Sequence, residues 1–286
     1  MSAWSDWPAP AKLNLFLRIV GQRADGYHLL QTVFQLLDWG DRVRLRVRAD
    51  GRIERTAGLR GVPAAQDLAV RAARLLRERT GSALGADIAL DKQVPAGGGL
   101  GGGSSDAATV LVALNRMWGT GLSLPRLAEL ALELGADVPV FVHGRSAWAE
   151  GVGERLHPLD LPAASYVIVD PGVRVSTSDF FQDPELTRNA PPATISDFLE
   201  GAVTDNVFAS LARIRHPEIA AAMDWLGQFG QARLSGSGAC GFVKADSRSA
   251  GEKIAARCPP PFRAYVADGV NVSPLLAQAG VPDVGA

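Results

Sequence analysis

Only two cysteines, Cys240 and Cys258, occur in 286 residues. Their separation matches no metal-ligand spacing and two thiols make no disulfide framework, so the chain fits a reducing compartment. Net charge is as scarce: 29 Lys and Arg against 30 Asp and Glu leave −1, which gives no global reason to expect a nucleic acid or an anionic membrane as partner. No apolar run is long enough to span a bilayer. The opening "MSAWSDWPAP" has no basic region followed by an apolar block, so no secretory signal is expected and the cytoplasm is the expected setting. Internal repeats and long low-complexity segments are missing too.

What is present is an ordinary globular balance, 47% hydrophobic and 21% charged, enough to bury substantial cores in about two domains. "KLNLFLRIV" alternates Leu13, Leu15 and Leu17 with Asn14, Phe16 and Arg18, a strand pattern. "RADGYHLLQTVFQLL" follows a turn at Asp25-Gly26, and "DRVRLRVRADGRIER" alternates and turns at Asp50-Gly51, so the early chain reads as largely antiparallel sheet. "DLAVRAARLLRERTG" predicts a helix capped by Asp67 and ended by Gly81, with Leu68, Ala72, Leu75, Leu76 and Arg79 near one side. "ADIALDKQV" predicts a strand. "AATVLVALNRMW" and "LPRLAELALELG" predict helices, the second with Pro125 in its first turn and Gly135 at its end. Around "LHPLDLPAAS" the composition turns to loop before the strand "YVIVD", which places a boundary between His157 and Ser165 and divides the chain into 1–160 and 161–286. Helical stretches near Ile195–Leu199 and Ala220–Phe229, a strand-like "CGFVKAD" and a helical "SAGEKIAARC" complete an α+β mixture without strict alternation.

The chemistry concentrates in "GGGLGGGSSD", Gly97 to Asp106, with six glycines in its first seven residues. Bare backbone between a strand and a helix lets N–H groups approach an anion, and the helix start adds unpaired N–H groups and the positive end of its dipole. Ser104 and Ser105 suit the helix entry, where they can cap it or contact phosphate or a phosphate-held metal ion. Asp106 would repel a bound phosphate and receives no binding role. A flexible linker is the competing reading, but linkers rarely sit between a clear strand and an amphipathic helix. No Gly-Lys-Ser/Thr closes the loop, so it is not a Walker loop. Gly97, Gly99 and Gly102 satisfy G-x-G-x-x-G, yet "KQVPA" separates strand from loop and no acidic residue ends a second strand about 20 positions on, as a nicotinamide-dinucleotide oxidoreductase would require. The protein-kinase His-Arg-Asp and Asp-Phe-Gly motifs are missing.

Other residues carry weaker signals. Lys12 begins an apolar strand and is either an exposed edge lysine or a paired, functional one. Asp137, in "GADVPVFV", is by pattern a cap or turn aspartate; against Lys12 it would be favoured as the carboxylate and could orient a hydroxyl and accept its proton. Tyr27-His28 could stack on and hydrogen-bond a ring, or be a half-buried hairpin pair. "RLSGSGACGF", Arg233 to Phe242, could bring backbone near a ligand or be a tight turn. "RVRLRVR" puts four arginines on one strand face, an RNA-binding stripe or, the commoner case, the solvated side of a sheet.

"PAPAKLNLFLRIVGQRADGYHLLQTVFQLLDWGD", "PAGGGLGGGSSDAATVLVALNRMW", "GADVPVF" and "RLSGSGACGF" in this order resemble the GHMP kinases, the family of galactokinase, homoserine kinase, mevalonate kinase and phosphomevalonate kinase. The resemblance runs over nearly the whole chain, down to "GVNVSPL". It is strongest to the branch acting on 4-diphosphocytidyl-2-C-methyl-D-erythritol. It implies a two-domain α+β fold, ribosomal-protein-S5 domain-2-like in the N-terminal domain and ferredoxin-like in the C-terminal one. The implied activity is ATP- and Mg²⁺-dependent phosphorylation of the 2-hydroxyl of that small molecule in non-mevalonate isoprenoid biosynthesis, by a monomer or homodimer. By the same resemblance Pro95, Ala96, Gly97, Gly98, Gly99, Leu100, Gly101, Gly102, Gly103, Ser104 and Ser105 form the ATP phosphate loop, and Lys12 and Asp137 form the catalytic pair. Asn14 meets the erythritol part, Tyr27 and His28 hold the cytosine, and Phe181 packs its other side. With the first motif starting at Pro8, no plastid transit peptide is expected and the implied location is a bacterial cytoplasm.

Overall fold

The chain is described from a computed structural model over residues 3–58 and 61–281. Its first two strands, β1 (Ser5–Gln22) and β2 (His28–Arg48), are long and antiparallel, joined by the Asp25-Gly26 turn. β3 (Ile53–Ala57) follows the turn at Gly51. α1 (Leu68–Thr80) is capped by the Asp67 side chain, which accepts from the Ala69 N–H, and ends at Gly81 in the left-handed region. Its buried stripe is Ala69, Val70, Ala72, Ala73 and Leu76. The expected face is therefore turned toward smaller residues, with Leu68 and Leu75 half-buried at its flanks, because α1 packs closely on the next helix but one element along. That element order is β4 (Gly85–Asp91), then α2 (Gly102–Trp118), α3 (Leu124–Leu132) and α4 (Val138–His143). A large core lies between these helices and the N-terminal strands.

Two short strands, β5 (Ala147–Glu150) and β6 (Arg155–Pro158), close the N-terminal part. β7 (Ser165–Asp170) opens the C-terminal part, followed by α5 (Thr177–Gln182), α6 (Ile195–Leu199), α7 (Ala209–Arg215) and α8 (Pro217–Leu226). β8 (Arg233–Leu234), β9 (Gly241–Ala245), α9 (Arg248–Ala255), β10 (Arg263–Val270) and α10 (Pro274–Ala279) complete it. The strands β10-β7-β9-β8 lie side by side, all neighbours antiparallel. With α5 to α8 and α9 as the crossovers, this is the β-α-β-β-α-β order of a ferredoxin-like unit.

β2 is the spine of the molecule. It pairs with β1, β4 and β5, and through Leu36 and Leu37 with the end of β10, so the N- and C-terminal sheets are continuous. This explains why β1, an alternating strand in sequence, is buried on both faces from Ala9 to Leu17: one face meets the N-terminal helices and the other the C-terminal elements. The four arginines of β2 share one face, as expected. Asp6, Asp87, Asp50 and Glu54 neutralise Arg44, Arg46 and Arg48, and Trp4 covers two of them. The stripe is a solvated sheet face.

Candidate active site

The glycine run is not a strand-to-helix hinge but a packed, hydrogen-bonded turn. Gly97, Gly99 and Gly101 each take φ of +73°, alternating with ordinary backbone, the pattern that aims successive N–H groups into one concavity. The loop carbonyls point into the protein. Gly97 and Gly98 accept from the N–H groups of Ala239 and Cys240, and Leu100 from that of Lys12. Gly99 accepts from the Ser235 hydroxyl at 2.9 Å and the Lys12 ammonium at 2.9 Å. No N–H group from Gly97 to Ser104 has a protein acceptor among the described residues. A row of free donors at the start of α2, above a row of satisfied acceptors, is an arrangement able to cradle an anion. The cleft it lines has a volume of about 300 Å³ and includes Leu68, Lys92 and Pro95 to Ser104.

Two expectations about this loop are corrected. α2 starts at Gly102, with Gly101 as its N-cap and no side-chain cap, so neither Ser104 nor Ser105 caps it. They sit one turn inside, and a helix turns them to different sides. Ser104 lines the cleft. Ser105 is fully buried, its hydroxyl without a partner, and is not on the cleft wall. The second small-residue loop, Ser235 to Cys240, packs directly beneath the first: a Cβ on Gly99 would stand 1.9 Å from the Ser235 carbonyl oxygen. That contact gives "RLSGSGACGF" a definite task, which its sequence alone left open.

Lys12 is not an edge lysine; it is 2% exposed. Register breaks in the β1–β2 ladder at Pro10/Lys12 and Asn14/Leu17 bracket it, and such irregularities re-aim side chains. Its ammonium lies 2.5 Å from the Asn14 Oδ1 and 3.3 Å from the Asp137 carboxylate. Asn14 donates from its other amide end to the Thr32 hydroxyl at 2.9 Å, so both its ends are engaged and it holds Lys12 in place. Asp137 sits just before α4, makes no capping hydrogen bond, and keeps its side chain 40% exposed. A pocket of about 320 Å³ receives Lys12, Asn14, Thr32, Asp137, Ser104 and Gly99 together.

Beyond this pocket lies an outer cavity of about 830 Å³. The two share Leu30, Ala136, Val152 and Phe181. Tyr27, 64% exposed, and His28 line the outer one. Phe181 stacks directly on the His28 ring, centroids 4.9 Å apart, rather than facing it across the width of a base. Arg188 donates to His28 Nε2 at 3.2 Å and to the Phe181 carbonyl at 2.8 Å, tying the two rings together. Burial, and then the Arg188 charge, lower the His28 pKa.

The glycine-loop cleft, the ion pair and the outer cavity thus form one continuous line. Two family matches cover it: the GHMP kinases N terminal domain at residues 67–145 and the GHMP kinases C terminal domain at 194–262. A 4-diphosphocytidyl-2-C-methyl-D-erythritol kinase of Xanthomonas campestris pv. campestris (strain B100) is 60% identical over 96% of this chain and 93% of that protein. The chain belongs to the GHMP kinases. A protein of the same description from Halorhodospira halophila is 56% identical over 98% of this chain and 99% of its own. The crystal structure of a 4-(cytidine 5'-diphospho)-2C-methyl-D-erythritol kinase superposes with a TM-score of 0.81 at 35% identity, covering 93% of this chain and 99% of that one. A Methanococcus jannaschii mevalonate kinase, at 14% identity and a TM-score of 0.68, shares the fold.

This GHMP kinase also uses residues that sequence reading passed over. Asp41 accepts from the Gln93 and Val94 N–H groups at 2.6 and 2.8 Å and pairs with Lys92, which also meets Asp106 at 2.5 Å. The triad fixes the approach to the glycine loop. Two carboxylates outweigh burial and raise the Lys92 pKa, while burial raises that of Asp106 to about 7. Asp106, given no binding role from the sequence, is a buried group paired with Lys92. Arg188 had no signal, standing in the plain loop "ELTRNAP".

Proposed function

We propose that this GHMP kinase transfers the γ-phosphoryl group of ATP to the 2-hydroxyl of 4-diphosphocytidyl-2-C-methyl-D-erythritol, within the non-mevalonate isoprenoid route. The observation that carries the reading is the position of the 3.3 Å Lys12–Asp137 pair, in the pocket that shares Gly99, Gly101 and Ser104 with the anion cradle. The names of relatives 56–60% identical support the choice of acceptor, and the outer cavity has room and rings for a nucleotide base. We read 1–160 as the ATP-binding half and 161–286 as the half that completes the acceptor pocket.

The free N–H groups of Gly97 to Ser104 would hold the β- and γ-phosphates. Asp137 would orient the acceptor hydroxyl and take its proton as the oxygen attacks the γ-phosphorus and the bond to the ADP oxygen breaks. Lys12 would neutralise charge growing on the attacking oxygen. Positioning and charge stabilisation supply most of the acceleration in such a transfer. The described residues hold no cluster of three or more His, Cys, Asp or Glu that could bind a metal. The Ser104 hydroxyl, on the wall of the glycine-loop cleft, and the Asp137 carboxylate, in the adjoining pocket, are hard oxygen donors, which fits Mg²⁺ carried mainly by the nucleotide phosphates. When bound it would neutralise phosphate charge.

The test is ADP release with the cytidyl acceptor, with and without Mg²⁺, beside Asp137→Asn. Turnover should be acceptor-dependent and fall about 10²–10⁴-fold in the variant, the scale of losing a general base. Near-normal turnover would remove Asp137 from the role, and release only with a different alcohol would overturn the acceptor.

A further inference from the structure

We propose a second binding site, on the face of the C-terminal sheet turned away from α8 and α9, for a small amphiphilic anion: a short hydrocarbon chain ending in a phosphate or carboxylate. The β-register builds it. Tyr166 of β7 lies opposite Lys244 of β9, and Phe242 of β9 lies opposite Arg233 of β8. Residues directly opposite, or two apart along a strand, share a face, so these four project together. The alternate residues Val167, Val169 and Val243 pack against α8 and α9 on the other side. Over the first face lies a cavity of about 290 Å³, at the small end of the range for ligand sites.

Its chemistry is one-sided. The lining holds two cations, Arg233 and Lys244, and no carboxylate. Neither cation has an ion-pair partner among the described residues. The Arg233 guanidinium donates only to the Leu15 carbonyl and the Gln231 amide, and burial lowers its pKa. Tyr166 is 5% exposed and lines the cavity together with Arg233. Most of the described arginines are paired with an acid, so a half-buried one without an acid, beside an unpaired lysine and the polar end of a tyrosine, suits an anion. Apart from Thr204, the remaining wall is apolar, chiefly Leu15, Leu161, Phe198, Phe242 and Leu199, the last 56% exposed at the rim. A headgroup on the cations would lay its chain along that wall. The site is separate from the reaction pocket. On β1, Asn14 lines the latter and the next residue, Leu15, lines this cavity.

Calorimetric titration of the full chain with hexyl phosphate, at saturating ATP so that the glycine cleft is filled, tests this directly. Lys244→Glu should weaken binding about tenfold or more, the scale of one charged hydrogen bond. Leu199→Ser should weaken hexyl phosphate several-fold, roughly the worth of part of a leucine side chain, and leave inorganic phosphate unaffected. Both positions are exposed, so folding is not at stake. Tyr166→Phe, which keeps the ring, should also weaken binding. The proposal is overturned if inorganic phosphate or 1-hexanol binds as tightly as hexyl phosphate, or if all three variants bind it as the parent does.

Discussion

The two ends of the proposed reaction line are built differently. At the inner end, the glycine loop is backbone pinned from beneath: its carbonyls accept from the backbone and from the Lys12 and Ser235 side chains of β1 and the 235–240 loop, and its free N–H groups are the outward ones. At the outer end, Tyr27 stands in the β1–β2 connection, His28 at the first position of β2 and Phe181 in the short helix α5; all three are half-exposed or exposed, and the single guanidinium of Arg188 ties His28 to Phe181. A rigid end suits a group common to every turnover, the phosphates. An adaptable end suits the part of a substrate that distinguishes it from other alcohols.

The contrast breaks most sharply at Gly99. An alanine there meets both a φ of +73° and the Ser235 carbonyl at 1.9 Å. Strain and overpacking, each worth about 1–3 kcal/mol, act together. Gly99→Ala should therefore lower stability by roughly 3 kcal/mol or more in urea melts and abolish measurable ATP binding. A variant that melts like the parent would show that the loop is not pinned.

Beneath the loop, Asp106 gives a pH handle. Its pKa is about 7 when folded against 3.8 as the ordinary value, so the folded state holds its proton longer. Stability from this group is fully present below about pH 4 and is lost as pH rises to about 7. Asp106→Asn removes the titration and still accepts from Lys92. The variant should gain on the parent by up to about 1.4 kcal/mol per pH unit across that window. Parallel stability curves would mean that Lys92 keeps Asp106 an ordinary carboxylate.

The outer end should respond more mildly and more selectively. His28→Ala removes one ring of the His28–Phe181 stack and the acceptor for Arg188. It should raise KM for the cytidyl acceptor about tenfold, the worth of one aromatic contact and one hydrogen bond, with KM for ATP unchanged. Equal effects on both substrates would erase the distinction between the ends.

How legible each end was follows from the same difference. The strands, α1 with its Asp67 and Gly81 limits, and the glycine loop are local, and periodicity and capping rules read them well. The meeting of Lys12 with Asp137 joins β1 to the start of α4 across many residues; by pattern the lysine was as much an edge residue as a functional one, and the aspartate more often a cap or turn residue. Burial of β1 on both faces was illegible because it depends on β10 returning to β2 from the far end of the chain. The serines failed for a smaller reason: the helix begins two residues before them, inside the glycines, where no propensity rule would start it. Arg188 left no trace because a loop arginine is ordinary until its acceptors are placed around it.

The finest separation comes from Gly103, the one loop glycine with both room for a side chain and an ordinary φ. Its φ is ordinary, and an added Cβ would meet only Leu68 Cδ1, at 3.7 Å. Within the first turn of α2, alanine is favoured over glycine by about 0.5–1 kcal/mol. Yet Gly103 is exposed on the wall of the anion cleft. Gly103→Ala should thus raise the melting midpoint slightly while increasing KM for ATP. If stability rises and KM for ATP does not move, the glycines are there for packing alone, and the cradle of free N–H groups must bind its anion from farther along α2's axis.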